Sequence, residues 1–166
     1  MKATNIIQQL LEQVEAMGEK WSTNAFHAVA RHCGTREFTM ALMKVTGENS
    51  ISRWLKSGEQ IVHACKYTLK WYQEKTTWEA EIDKFLADKS LADHRQSLVL
   101  TYKGCGEKLS TWHSPKPCDG MIVWYHIEKR YDYYGTLHIR VEFDSAYPIN
   151  KVTKLSFPQK GQVAKN

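Results

Sequence analysis

No apolar run in this 166-residue chain approaches the roughly 18 residues that a membrane-crossing helix needs. At the N-terminus, Gln8 and Gln9 break the apolar character before the core of a secretory signal can form. No internal repeat and no low-complexity stretch is present. The four cysteines lack the paired C-x2-C spacing of a zinc module. A phosphate loop, a nucleophile elbow, an HExxH pair and paired catalytic aspartates are all missing as well. These absences set aside membrane, secreted and fibrous classes and make catalysis the minority reading. A cytoplasmic globular protein is expected. What is there agrees with that. The 42% apolar content gives about 70 side chains for a core, and the 25% charged content is close to the globular average.

The net charge of +5 is unevenly spread. Residues 1–20 carry −1, residues 21–75 carry +4, residues 76–95 carry −2, residues 96–150 are neutral, and the last sixteen carry +4. Two basic patches on an otherwise neutral body point to a polyanionic partner. The segment 158–166 reads as a flexible basic tail.

Two hydrophobic periods meet near residue 96. Before it, apolar residues recur at three and four, as on one face of a helix. Ile6, Ile7, Leu10, Leu11, Val14 and Met17 form a first helix, capped by Thr4 or Asn5. Further helices are expected at 24–33, after Thr35 up to Gly47, at 51–56, at 59–74, and from a Thr76–Glu79 capping box onward. After residue 96 the pattern alternates. Strands are expected at 97–103, 121–128, 137–143 and 151–157, with 129–135 as a hairpin turn. The expectation is an α+β fold in which a helical region, 1–95, packs beside a small antiparallel β region, 96–157.

Residues 38–58 resemble the helix-turn-helix of repressor-type DNA-binding proteins. Ala41 supplies the small residue where the two helices meet, Ile51 the apolar anchor ten residues on, and Trp54 and Leu55 the packed back face. Val45 stands where that family places its turn glycine, and Gly47 follows two residues later. The resemblance implies that Asn49, Ser50, Ser52 and Arg53 read a DNA groove, while Arg36, Lys44 and Lys56 hold phosphates. A regulatory protein that binds nucleic acid, most simply duplex DNA, is the first expectation.

The alternative is a non-enzymatic inhibitor or adaptor that docks on a protein through an aromatic hairpin made of Lys129, Arg130, Tyr131, Tyr133 and Tyr134. In the DNA-binding reading the sheet would serve homodimerisation or partner binding. Cys105, His113 and Cys118 share one loop, but without C-x2-C pairs the four cysteines are expected to be reduced thiols with no metal, and no cofactor is expected. Parity along the hairpin places Glu128 opposite His138, His126 opposite Arg140 and Trp124 opposite Glu142, a cross-strand ladder in which only Glu128 and His138 offer acid–base chemistry.

Overall fold

The computed structural model describes residues 1–18 and 31–150, together with the backbone of Ala164–Lys165. Helix α1, Ala3–Ala16, buries Ile6, Ile7, Leu10 and Val14 on one stripe. Its cap is Lys2 rather than Thr4 or Asn5, because Asn5 reaches back from the first turn to accept the Lys2 backbone N–H at 3.1 Å. Residues 31–33 are helical; the rest of the helix expected at 24–33 lies outside the described residues. Helix α2, Arg36–Thr46, starts on Thr35, whose hydroxyl accepts the Phe38 N–H, and stops at Gly47 as expected. Helix α3, Gly58–Lys75, is opened by a Ser57–Gln60 capping box and buries Ile61, Cys65, Leu69 and Tyr72. Helix α4, Trp78–Ala87, begins without the expected Thr76–Glu79 box. The Thr76 hydroxyl is already engaged, donating to the Tyr72 carbonyl at 2.6 Å and accepting the Trp78 N–H at 3.1 Å.

The α+β class is the one found. Strands β1, Ser50–Trp54, β2, Asp93–Ser110, β3, Lys116–Tyr131, and β4, Leu137–Ile149, form an antiparallel sheet in the order β1-β2-β3-β4. A short β5, Ala164–Lys165, pairs with Gln96 and Ser97 of β2; the strand expected at 151–157 and the rest of the basic tail lie outside the described residues. Alternation along β3 and β4 turns Met121, Val123, Tyr125, Ile127, Val141 and Phe143 inward, into one core with α1, α3 and α4. Burying each such side chain is worth about 1.5–3 kcal/mol, so these positions set the register. Gln13 of α1 completes the free edge of β4, its amide donating to the Val141 carbonyl and its carbonyl oxygen accepting the Phe143 N–H.

The helix expected at 51–56 is instead strand β1. A helix of six residues forms too few internal hydrogen bonds to offset nucleation. As a strand the segment pairs its backbone with β2, from Ser50 opposite Ser110 to Trp54 opposite Gly106. The three-residue spacing of Ile51 and Trp54 then sends them to opposite faces. Ile51 joins Met43 and Leu109 in a small cluster under α2, and Trp54 joins the main core.

Midway along β2 the register slips, so that Tyr102 to Cys105 lie opposite Asp119 alone. This bulge curls the sheet until β1 meets the end of β4, where the Trp54 indole donates to the Ala146 carbonyl at 3.2 Å. Gly106 sits at the crossing, and a Cβ there would lie 2.4 Å from both the Arg53 carbonyl and the Pro148 ring.

Candidate functional site

The corner where β1, β2 and β4 converge carries two adjoining depressions of about 320 and 240 Å³ that share Ser50, Lys108 and Asn150. The larger is floored by His32 and Tyr147, whose rings stack at 4.7 Å. The His32 Nδ1 lies 2.7 Å from the Ser52 carbonyl, and burial lowers its pKa to about 4, so the ring is neutral and Nδ1 is the donor. The Trp124 indole braces the stack by donating to the Tyr147 hydroxyl at 3.0 Å. The smaller depression is lined by Asn49, Lys108, Lys116, His113 and Trp112, and Trp112 is 72% exposed. Lys108 and Lys116 are direct cross-strand partners, and among the described residues neither is ion-paired. Like charges face to face on a ladder cost stability.

The residues expected to read DNA divide. Asn49, Ser50 and Ser52 line the two depressions. Arg53 does not join them. Its side chain is 16% exposed, donates to the Gly34 carbonyl at 2.9 Å and pairs with Glu107 at 3.2 Å. Arg36 clamps the same carboxylate with two nitrogens, at 2.7 and 2.9 Å, and its hydrogen bonds hold the Glu107 pKa below the usual range. Lys44 is exposed on α2, and the Lys56 ammonium sits 5.6 Å over the Tyr102 ring. With β1 a strand, Ser50, Ser52 and Arg53 project from a sheet edge rather than from a groove-reading helix.

The hairpin register differs by two residues from the expected one. Glu128 faces Arg140, His126 faces Glu142, and a bulge in β4 places Trp124 opposite Ser145. The cause is Asp132. Its carboxylate accepts the Tyr134 and Thr136 N–H groups and lies 2.8 Å from His138 Nε2, fixing a turn closed by Tyr131 and Leu137. Glu128 and His138 are therefore not partners. Tyr133 and Tyr134 stand 96% and 88% exposed at the tip, with Arg130 and Tyr131 also in solvent. Lys129, expected beside them, is buried. Its ammonium donates to the carbonyls of Phe85 and Asp88 at 2.5 Å each and lies 4.3 Å from the Phe85 ring centroid, closing the C-terminus of α4.

All four cysteines are free thiols, and Cys105 and Cys118 are buried while His113 is exposed. Burial pushes the pKa values of Cys105 and Cys118 up, to about 12 and about 11. Among the described residues, the side chains that converge as a ligand set are His126, Glu142 and Asp144, on the sheet face away from the helices. Their convergence depends on the β4 bulge, which alternation alone does not reveal. Likewise Lys108 and Lys116 meet only because of the bulge in β2. Comparison with protein families, with curated proteins and with solved structures finds no match to this chain.

Proposed function

We propose that this protein binds nucleic acid through the basic corner, with an unpaired DNA segment as the best fit. The observation that carries this reading is the direct pairing of Lys108 with Lys116 beside exposed Trp112. Two unneutralised lysines across a ladder repel each other; a phosphate between them turns that cost into attraction. A neighbouring indole offers a stacking surface, worth about 1–3 kcal/mol per base. Asn49 and Ser50 add hydrogen-bonding groups on the same wall. A shallow groove with an exposed aromatic suits a single strand better than a duplex, whose major groove calls for an inserted helix or ribbon.

Fluorescence anisotropy with a labelled twelve-base oligonucleotide, single-stranded and duplex, tests this. The expected result is tighter binding of the single strand, weakened steeply by salt, with at least a tenfold loss in Lys108→Ala/Lys116→Ala and quenching of Trp112. Unchanged affinity in the double variant would refute it.

A second reading, docking on a protein through the hairpin, is favoured by the rigid turn that presents Tyr133 and Tyr134. If that surface pairs two copies of the chain, sedimentation equilibrium shows a dimer that Tyr133→Ala/Tyr134→Ala dissociates while oligonucleotide binding persists.

A further inference from the structure

We propose that His126, Glu142 and Asp144 bind one divalent transition cation of the zinc type. Each residue offers a ligand atom within 4.8 Å of the other two. Asp144 Oδ1 lies 2.8 Å from His126 Nδ1, and Glu142 Oε2 lies 3.8 Å from His126 Nε2. Bonds of about 2.1 Å hold ligand atoms about 3.0 Å apart in an octahedral site and about 3.4 Å apart in a tetrahedral one. One imidazole nitrogen serves one ion, so the two distances describe alternative His126 ligand atoms. With one atom from each residue the three lie within 4.8 Å of one another, and side-chain rotation draws them to the required spacing. Glu128 Oε1, 3.5 Å from His126 Nε2, stands by as a further oxygen. One imidazole with carboxylates suits zinc, and three protein ligands leave positions for water.

The charge pattern supports a cation independently of the distances. Three carboxylates, Glu128, Glu142 and Asp144, face both nitrogens of one imidazole. Arg140 reaches Glu128 and Glu142, and Arg95 lies 3.8 Å from Asp144. Two positive groups meet three negative ones, and both guanidinium groups are mostly in solvent, where such pairs are weak. His126 and Asp144, by contrast, have less than a fifth of their side-chain surface exposed. Asp144 also has no cross-strand partner of its own. Phe143 pairs with Tyr125 and Ser145 with Trp124, which leaves Asp144 as the extra residue of the bulge, carried to the side of His126.

Isothermal titration of the full chain with zinc chloride, after treatment with a chelator, tests the site. One saturable zinc per chain is expected, with affinity reduced at least tenfold in His126→Ala and in Asp144→Asn, and unchanged in Cys105→Ser and Cys118→Ser. Glu142→Gln, a change at a half-exposed carboxylate, gives the same readout should His126→Ala fail to fold. Zinc should also raise the melting temperature of the parent but not of Glu142→Gln. Absence of saturable binding, affinity as high as the parent's in the His126 and Glu142 variants, or loss confined to the cysteine variants would each overturn the proposal. None of these outcomes depends on nucleic-acid binding.

Discussion

The Trp78 indole donates to the Tyr125 hydroxyl at 2.6 Å in the middle of the core, and His94 Nε2 lies 2.8 Å from the same oxygen. One phenol thus satisfies a buried donor from α4 and a ring nitrogen from β2. Tyr125→Phe keeps the ring volume and removes the oxygen, leaving the Trp78 N–H with no acceptor. The expected loss is ~1–3 kcal/mol by denaturant titration, without change of fold. A variant as stable as the parent would show that the network adds nothing to the core.

Val141 is buried opposite Ile127, whereas His138 is exposed beside Asp132. Val141→Asp places a carboxylate in the main core and should abolish cooperative unfolding. His138→Ala should shift stability by no more than about 0.5 kcal/mol. Thermal melts of the two variants separate a strand that holds the fold from a turn that decorates it.

The buried His32 gives stability a pH dependence of definite sign. Its pKa is lowered by burial from 6.5 to about 4 in the folded chain. Between those values the unfolded chain takes up a proton that the folded chain excludes. Stability is therefore intact above pH 6.5 and declines as pH falls towards 4, by about 3 kcal/mol in all. His32→Phe should flatten the slope of melting temperature against pH in that window. An equal slope in parent and variant would count against a neutral, buried His32.

Burial raises the pKa of every cysteine, to about 12 for Cys33 and Cys105 and about 11 for Cys118, and higher still for Cys65. Protonated thiols out of solvent react slowly. A thiol reagent at pH 8 should label the native chain at least tenfold more slowly than the denatured chain, which should yield four thiols. Rapid labelling of the native chain would place a thiolate at the surface.

The α+β division was legible because a period of three to four and a period of two place apolar residues on different faces, and burial decides between them. Residues 51–56 misled for the same reason. Ile51 and Trp54, three apart, satisfy a helical stripe if they share one core; here they serve two. The hairpin was read with correct parity but two residues out, since the Asp132 turn rather than hydrophobicity chooses among registers of equal parity. At the basic corner, Asn49, Ser50 and Ser52 drew notice through the helix-turn-helix resemblance and line the depressions from a strand and its approach, whereas nothing in the sequence singled out Lys108 and Lys116. Their meeting is set by a bulge between Thr101 and Gly106, whose length leaves no periodic trace. Arg53 stood out as a free cation because sequence says nothing of Glu107, which lies more than fifty residues away.

Strand β1 has a consequence for how the chain yields to stress. Its five residues are held by two apolar clusters on opposite faces, through Ile51 on one side and Trp54 on the other. Peeling α2 away would uncover Ile51 and loosen the strand on which Trp54 hangs, so the small cluster and the main core form one cooperative unit. Ser50 and Ser52, which line the basic corner, belong to that same strand. Occupancy of the corner is thereby coupled to global unfolding, and a ligand held there should slow amide exchange in the distant helices as well as at its own site.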